Sequence, residues 1–295
     1  MRWTVSKLMK TTYRDLYEYG RERLEKAQVP DPGTDAWLLL NSVFGITRAQ
    51  YLLERDIIFT PDLCLQEQYQ DLIIQRAKRI PLQYLTGMQE FFGFPVFVDP
   101  HVLIPRPETE LLVEWVINSS GDQGAGNKNL CVLDLCTGSG CIAIALMRSG
   151  RFNCVDGADI SDEALAIARK NAEYNHAGVH FYQSDLFERI EKKYDIIVSN
   201  PPYISDLEIK DLQPEVRDHE PVLALSGGED GLSFYRRIAK DAKSRLNHPG
   251  KLFMEIGADQ GSAVCSLLKK EGFTDIVLKQ DYAGLDRMVC GVYLG

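Results

Sequence analysis

Several features that mark other classes of protein are missing from this chain of 295 residues. No apolar run approaches the roughly 20 residues that a membrane-spanning helix needs. Residues 1–7 also lack the apolar core and the small-residue cleavage site of a signal peptide. We therefore expect a cytoplasmic protein with no membrane partner.

Metal-binding motifs are missing as well. No two of the seven cysteines have C-x-x-C spacing. We predict that no metal is bound and that the cysteines are buried, reduced thiols, the usual state in a cytosolic protein. The cysteines are Cys64, Cys131, Cys136, Cys141, Cys154, Cys265 and Cys290.

An excess of basic charge is the third absence. The formal net charge is -9, whereas proteins that bind by neutralising phosphates usually carry a basic face. The charge therefore argues against nucleic acid as the principal partner. We also expect the chain to act as a monomer.

The N-terminal part of the chain has the pattern of helices. Apolar residues recur at three- and four-residue spacing in three stretches, residues 13–27, 36–44 and 65–76. Gly45 has the position of a C-terminal cap, and Thr60 with Pro61 that of a helix start. The pattern predicts a small all-helical domain over residues 1–82, to which we assign substrate recognition.

The pattern changes over residues 83–106, which we interpret as a linker. Aromatic and β-branched residues surround a central glycine in the segment 91–98, and this predicts a β-hairpin. Pro107 and the acidic residues after it fit the first turn of a helix. We therefore predict a catalytic domain over residues 107–295, with a flexible Ser- and Gly-rich stretch at 119–127.

From Leu130 onward, short apolar strands alternate with amphipathic helices. This alternation predicts an α/β fold, a Rossmann-like parallel sheet with helices on both faces. The last two strands have no helix between them, so the final strand is predicted to be antiparallel. The seven strand candidates are residues 130–135, 154–160, 179–183, 196–199, 251–256, 276–279 and 287–293, and the helix candidates are 140–149, 162–175, 231–246 and 259–271.

A glycine-rich turn follows the first of these strands, with the residues Cys136, Thr137, Gly138, Ser139 and Gly140. A Gly-x-Gly turn between a strand and a helix lets the backbone approach a ligand closely. The glycines alone also suit a dinucleotide, because Ala143 is tolerated in the third glycine position of that motif. Asp134 on the strand would repel a pyrophosphate, however, and it suits the cationic amino-acid part of S-adenosylmethionine.

Acidic residues end the next two strands. Asp159 lies 19 residues after Gly140, close to the roughly 20 expected for a carboxylate that binds ribose hydroxyls. Its alternative role is to assist a helix cap at Ser161, and Asp156 is a less favoured candidate for the ribose because it falls inside the strand rather than at its end. Asp185, followed by the apolar Leu186, could accept a hydrogen bond from an adenine amino group and cover the ring, or could cap a helix.

The fourth strand ends in Asn200-Pro201-Pro202-Tyr203. Two prolines remove two backbone donors, which leaves carbonyl oxygens and the side-chain oxygen of Asn200 as acceptors beside the flat ring of Tyr203. Such a pocket suits an NH₂ group on a planar system. Asn200 and the Pro201 carbonyl could each accept one N–H and hold the nitrogen in line with a sulfonium methyl group.

These motifs resemble the release-factor glutamine methyltransferases (HemK/PrmC type). The resemblance covers nearly the whole chain. Further motifs that carry it are Pro81-Leu82-Gln83-Tyr84-Leu85-Thr86-Gly87, Leu103-Ile104-Pro105-Arg106-Pro107-Glu108-Thr109-Glu110, Gly227-Gly228-Glu229-Asp230-Gly231-Leu232, Phe234-Tyr235, Glu255-Ile256-Gly257 and the segment 281–287. It implies a seven-stranded methyltransferase domain with S-adenosyl-L-methionine as cofactor and S-adenosyl-L-homocysteine as product. The implied substrate is the N5 amide nitrogen of the glutamine in the Gly-Gly-Gln motif of class 1 peptide-chain release factors.

The resemblance also implies roles for individual residues. The loop from Cys136 to Gly140, with Asp159, Leu186 and Asn200, would hold the cofactor, and Asn200 to Tyr203 would hold the glutamine. Cys136 departs from the family, which more often has glycine there. The segment with Arg106 and Glu108 would shape the acceptor side, or simply start a helix.

A cofactor-binding protein that no longer catalyses would be expected to lose Asn200 or the prolines after it, and this chain retains them. Two other functions use the same pocket. One is methylation of a glutamine in a ribosomal protein, which the motifs do not separate from methylation of a release factor. The other is adenine-N6 methylation of nucleic acid, which predicts a basic face that the charge of -9 does not favour.

Overall fold

The computed structural model describes residues 10–119 and 129–295. The chain forms two compact units, one ending at Gly87 and the other spanning Met88–Gly295. The signal-peptide prediction concerns residues 1–7, which lie outside the described ranges. Of the predicted flexible stretch at 119–127, residues 120–127 lie outside the described ranges, and Ser119 ends a helix. Within the described ranges, no helix is long and apolar enough to cross a membrane.

The first unit is helical, as predicted. Its core is formed by apolar side chains such as Leu24, Leu40 and Ile73, together with the buried ring of Tyr69. The Tyr69 hydroxyl donates to main-chain oxygens of the first two helices, so it is buried with its polar end satisfied. The helices are α1 (Tyr13–Lys26), α2 (Pro32–Phe44), α3 (Arg48–Glu54), α4 (Leu63–Ala77) and α5 (Leu82–Thr86).

The predicted caps are right in one case and wrong in another. Gly45 ends α2 in the left-handed conformation, with φ 64°, as predicted. The helix start assigned to Thr60 and Pro61 is wrong, because α4 begins at Leu63 and the side chain of Asp62 accepts from the amide of Cys64. Asp62, two residues after Thr60, provides the same type of side-chain cap that was predicted for the threonine. The short helices α3 and α5 have too few turns to show a periodicity.

The second unit begins with a hairpin of strands β1 (Met88–Phe91) and β2 (Phe94–Phe97). Phe92 and Gly93 both have positive φ, 48° and 76°, as a two-residue hairpin turn requires. The hairpin, which the sequence assigns to a linker, lies inside this unit. Helix α6 (Pro107–Ser119) then starts at the predicted proline.

A seven-stranded sheet forms the centre of the second unit. Its strands are β3 (Cys131–Leu135), β4 (Cys154–Asp159), β5 (His180–Gln183), β6 (Tyr194–Ser199), β7 (Leu246–Glu255), β8 (Thr274–Gln280) and β9 (Asp286–Tyr293). They lie in the order β5-β4-β3-β6-β7-β9-β8. All neighbours up to β7 are parallel, and β9 runs antiparallel to its neighbours β7 and β8. The predicted fold class and the antiparallel last strand are therefore confirmed.

Helices cover this sheet and bury its apolar core. The helices that follow α6 are α7 (Cys141–Arg148), α8 (Asp162–Tyr174), α9 (Pro214–His219), α10 (Ser233–Ala242) and α11 (Gly261–Lys270), of which α9 has no buried residue and is not part of this cover. The short helix α9 was not predicted, since six residues after a polar loop carry no apolar stripe.

Asn171 on α8 joins the hairpin to the glycine-rich loop. Its side-chain oxygen accepts from the amide of Phe97 at 2.7 Å, and its NH₂ group donates to the carbonyls of Phe97 and Ser139 at 3.0 and 2.9 Å. Asn171 is fully buried, and these three bonds satisfy most of its hydrogen-bonding capacity. The hairpin is thereby fixed to the loop that follows β3.

The prediction of seven buried, reduced cysteines is wrong. Cys131 and Cys154 form a disulfide between β3 and β4, and Cys64 is exposed. The two bonded cysteines are direct partners in the strand register, with Cα atoms 4.8 Å apart. The register of two parallel strands cannot be read from the sequence, so the pairing of Cys131 with Cys154 could not be predicted.

Candidate active site

The carboxyl ends of β3, β4, β5 and β6 lie side by side and border a cavity of about 390 Å³. This is the edge at which open α/β sheets bind ligands. Of the residues predicted from the sequence, the cavity is lined by Arg106, Cys136, Thr137, Gly138, Ser139, Asp159, Asp185, Leu186, Asn200 and Pro202. Gly140, Pro201, Tyr203 and Glu108 are not part of its lining.

The glycine-rich loop takes the left-handed backbone conformation at alternate positions. The φ angles are 58° at Cys136, 52° at Gly138 and 81° at Gly140. Glycine adopts this conformation freely, whereas a cysteine is strained in it. A Cβ atom on Gly140 would also lie 3.1 Å from the side chain of Ala168, so this position needs glycine for space as well.

Asp134 does not face the cavity, and its assignment to the amino-acid part of the cofactor is wrong. It is fully buried beneath the loop. One carboxylate oxygen accepts from the Thr137 hydroxyl at 2.5 Å and from the Ala143 amide at 3.2 Å, and the other has no partner among the described residues. Burial raises its pKa to about 7. Asp134 therefore fixes the loop to the start of α7.

Asp159 lines the cavity at the end of β4. Its two oxygens accept from the amides of Gly138 and Ser161 at 2.8 and 3.0 Å, while burial raises its pKa. The predicted contact with Ser161, the cap of α8, is therefore confirmed, whereas the binding of ribose hydroxyls by Asp159 stays a prediction. An ionised carboxylate offers about four acceptor sites, so Asp159 keeps acceptor capacity for ribose hydroxyls.

Asp185 and Leu186 lie at the end of β5. Leu186 is buried and has a positive φ of 50°, a conformation that costs energy in a residue other than glycine. Asp185 forms a salt bridge of 2.7 Å with Arg237 on α10. Arg237 also lines the cavity, and the sequence did not indicate it.

The Asn200-Pro201-Pro202-Tyr203 segment follows β6 directly and is held by the glycine-rich segment 227–231. The amide of Gly227 donates to the carbonyl of Ile204 at 2.8 Å. The side chain of Gln260 donates to the carbonyl of Tyr203 at 2.9 Å. The pKa of Tyr203 is raised to about 12, mainly by burial, so its phenol is neutral at physiological pH.

The amide group of Asn200 has two buried neighbours that sequence reasoning did not assign to it. Its nitrogen donates to the Thr109 hydroxyl at 3.2 Å, and that hydroxyl donates to a carboxylate oxygen of Glu255 at 2.7 Å. Burial raises the pKa of Glu255 to about 7, against the lowering effect of the Thr109 hydrogen bond and the Arg287 charge. The only sequence signal for the pair was their place in the motifs of the resemblance.

Arg106 is held by a partner from a distant part of the chain. Its guanidinium forms a salt bridge with Glu220, whose side chain is almost completely buried, and Glu220 also accepts from the amide of Ile104. Arg106 thus lies in the cavity wall with its charge neutralised. Glu108 is exposed and lies outside the cavity lining. It is in the first turn of α6, where the helix dipole stabilises a negative charge.

The cavity fits the chemistry of S-adenosyl-L-methionine. Asp159 supplies a carboxylate for hydroxyl groups, and the apolar side chains of Ile160, Leu186 and Phe234 provide surface for a planar ring. The loop that carries Gly138 allows close approach of the backbone. No cluster of residues suited to a metal ion occurs in the described ranges.

Comparison with known proteins identifies the family. Residues 15–87 match the model of the PrmC N-terminal domain, and residues 109–215 match that of the methyltransferase small domain. The release factor glutamine methyltransferase of Geobacter sulfurreducens is 40% identical over 292 residues, 98% of this chain and 96% of that protein. The chain belongs to the release factor glutamine methyltransferase family. It is therefore a methyltransferase that depends on S-adenosyl-L-methionine.

Other members of the family agree with this assignment. The release factor glutamine methyltransferase of Streptococcus pneumoniae is 46% identical over 201 residues, 68% of this chain and 70% of that protein. The family resemblance stated from the motifs is thus confirmed. It covers both the helical unit and the sheet.

Solved structures support the fold alone, because their sequences are distant. The catalytic domain of hMettl16 is 18% identical, with a TM-score of 0.55 over 76% of this chain and 84% of that one. A methyltransferase from Pyrococcus furiosus is 19% identical, with a TM-score of 0.50 over 70% of this chain and 91% of that one. The folds of both proteins are similar to the fold of this chain.

Proposed function

We propose that this chain transfers a methyl group from S-adenosyl-L-methionine to the N5 amide nitrogen of the glutamine in the Gly-Gly-Gln motif of class 1 peptide-chain release factors. The observation that carries the proposal is the placement of Asn200 in the cavity wall, with its amide nitrogen bound to Thr109. Its oxygen is therefore the end available to accept an N–H. We further propose that the chain acts as a monomer in the cytoplasm and that nucleic acid is not its substrate.

The cofactor, when bound, supplies a methyl group activated by a positively charged sulfonium. In our proposal, the loop from Cys136 to Gly140, with Asp159, Asp185 and Leu186, binds it. The geometry supports this for the residues that line the cavity. Gly140 contributes through the turn of the loop, since its positive φ and close packing hold the chain in place.

The acceptor side is assigned to Asn200, Pro201, Pro202 and Tyr203. An amide nitrogen is a weak nucleophile, because its lone pair is delocalised into the carbonyl group. As the nitrogen–carbon bond forms, its hydrogens become more acidic, and the acceptors at Asn200 and Pro201 bind them more strongly than in the ground state. Binding that strengthens in the transition state accelerates the reaction.

The proton balance requires no buried base in this scheme. The new bond joins the amide nitrogen to the methyl carbon, the carbon–sulfur bond breaks, and one N–H proton leaves to water. The resulting N-methyl amide is neutral. Arg106, neutralised by Glu220, and Glu108 in the first turn of α6 would shape the entrance for the glutamine.

The test is methyl transfer from radiolabelled S-adenosyl-L-methionine to a purified class 1 release factor, beside a variant in which Gly-Gly-Gln is changed to Gly-Gly-Ala. We expect label on the wild-type factor only. Label on both factors would place the methyl group elsewhere. Label on neither would reject release factors as the substrate and direct the same assay to ribosomal proteins and then to nucleic acid.

A further inference from the structure

We propose that Thr109 and Glu255 are positioning residues that determine which end of the Asn200 side-chain amide faces the cavity. The inference rests on the proposed function, in which the oxygen of Asn200 accepts an N–H of the substrate amide. Thr109 borders the cavity and Glu255 does not, and neither residue bonds to the substrate in this scheme. Both act through Asn200.

The three side chains form a chain of hydrogen bonds with a fixed direction. Thr109 and Glu255 are each 2% exposed, so water does not compete for their bonds. A hydroxyl group has a single proton, and Thr109 donates it to Glu255 at 2.7 Å. The Thr109 oxygen therefore faces Asn200 with a lone pair, and it accepts from the Asn200 NH₂ group at 3.2 Å.

The opposite orientation of the Asn200 amide is disfavoured by the same geometry. Rotation by 180° would bring the Asn200 oxygen against the Thr109 oxygen, with no proton between two acceptors. The nitrogen and oxygen ends of an asparagine are almost identical in shape, so packing alone does not choose between them. The hydrogen-bond direction makes the choice.

This orientation matters for the substrate that the pocket accepts. With its oxygen toward the cavity, Asn200 binds an NH₂ group. With its NH₂ group toward the cavity, it would meet the substrate NH₂ as donor against donor. A carboxylate on β7 thus sets the hydrogen-bonding preference of a residue after β6.

The ionisation of Glu255 controls the direction of the chain. Several other segments face it. Arg287 on β9 and Glu108 on α6 act through their charges, and the Asn200 side chain itself hydrogen-bonds to the carboxylate, which also favours the Asn200 NH₂ group on this side. Tyr203 and Cys141 on α7 lie close enough to interact with it electrostatically, and Tyr235 on α10 donates to its main-chain oxygen at 3.1 Å. A protonated Glu255 can donate to Thr109, which frees the Thr109 proton for the oxygen of Asn200. Protonation therefore permits the unproductive orientation.

The first test needs no methyl acceptor. In protein labelled with ¹⁵N-asparagine, the side-chain NH₂ signals of Asn200 are assigned by their loss in Asn200→Ala. We expect Thr109→Val, which removes the hydroxyl at nearly constant volume, to shift these signals and speed their hydrogen exchange. Thr109→Ser, which keeps the hydroxyl, should restore the wild-type signals. Unchanged Asn200 signals in Thr109→Val would overturn the proposal.

The second test measures methyl transfer. Thr109→Val should lower kcat by about 10²-fold, the effect typical of a misplaced catalytic group, and leave the KM for S-adenosyl-L-methionine unchanged. Thr109→Ser should keep most of the activity. In the Asn200→Ala background, Thr109→Val should have no further effect. A further loss of the same size there would show that Thr109 acts independently of Asn200 and would overturn the proposal.

The pH profile separates positioning from simple support of the fold. In the wild type, kcat should fall as the pH drops through about 7, where Glu255 becomes protonated. Glu255→Gln should remove this step, and a step that persists in the variant would contradict the role of Glu255. If the wild type labels no release factor, the proposed function fails, while the NMR measurement still decides the positioning role.

Discussion

Gly231 lies directly against the main chain of Tyr203, so that a Cβ atom added to Gly231 would stand 2.5 Å from the Tyr203 carbonyl oxygen. Gly231→Ala should therefore displace Tyr203 and lower the rate of methyl transfer. A displacement of about 1 Å at a catalytic segment can reduce a rate by about 10²-fold. Steady-state kinetics with the release factor will measure the effect.

Gly284→Ala is the matched control for this change. Gly284 also has a positive φ, 78°, but a Cβ atom there would meet nothing within 4 Å. Both variants carry the backbone strain of an alanine in this conformation, about 1 kcal/mol. Only Gly231→Ala should lose activity at a temperature where both are folded, and equal activities would refute the contact with Tyr203 as its cause.

Asn200→Ala should reduce methyl transfer by about 10²- to 10³-fold, as for the loss of one oriented group that stabilises a transition state. Binding of S-adenosyl-L-methionine should stay largely intact. Asn247→Ala is a suitable control, because Asn247 binds Asp195 and does not line the cavity. Near-normal turnover of Asn200→Ala in single-turnover experiments would disprove the acceptor role.

Asp159→Ala should weaken the binding of S-adenosyl-L-methionine by about 10- to 100-fold, since a hydrogen bond to a charged group contributes about 1.5–3 kcal/mol. Calorimetry will measure the dissociation constant. Asp156→Ala serves as the control on the same strand, because Asp156 binds Tyr194 and Lys192 away from the cavity. An unchanged dissociation constant for Asp159→Ala would count against the ribose assignment.

Glu255 should make the protein less stable as the pH rises. Burial raises its pKa in the folded protein to about 7, above the ordinary value of 4.5, so the folded state holds the proton more tightly than the unfolded state. Its contribution to stability is complete below pH 4.5 and is lost as the pH rises through 7. Between pH 5.5 and 8.5 the loss is about 2 kcal/mol.

Urea unfolding at these two pH values will test this contribution. Asp134 has a raised pKa as well, so the informative quantity is the difference between the wild type and Glu255→Gln. The variant should lose less stability than the wild type over the same interval. An equal pH dependence would mean that Glu255 stays ionised throughout.

The sequence predicted those parts of the site that depend on local backbone chemistry. The turn with Gly138 and Gly140 follows β3, as predicted from the glycines after an apolar strand. The segment with Pro201 and Pro202 follows β6, as predicted from the prolines after an apolar strand. Asp159 was found because its distance from the glycine turn is set by one helix and one strand.

Other parts depend on contacts that local patterns do not encode. Thr109 on α6 and Glu255 on β7 are 146 residues apart in the chain. The packing of α6 on the sheet and the adjacency of β6 and β7 bring both to Asn200. Asp134 was placed in the cavity because its position at the strand end suggested a ligand, whereas the side chain turns beneath the loop to Thr137. The direction of a side chain at a strand end follows from packing.

The beginning of β7 shows the same limit within a single element. The apolar run predicts a strand from residue 251, but the strand starts at Leu246, which pairs with Tyr194 across an irregularity in the register. Residues 247–250, between the observed and the predicted start of the strand, include a proline and a glycine, which normally weaken a strand. The pairing of β7 with β6 at Leu246 outweighs the low strand preference of the proline and the glycine.

The bonds of Asn171 to Phe97 and Ser139 set a rule for recombining members of this family. A chimera that takes its helical unit from one enzyme and its sheet from another must be joined before Met88, so that the hairpin travels with α8. A junction after the hairpin would leave a buried amide facing a foreign backbone, with a cost of about 1–3 kcal/mol for each bond left unmade. Exchange of the helical unit by recombination is therefore limited to a crossover at the boundary between Gly87 and Met88.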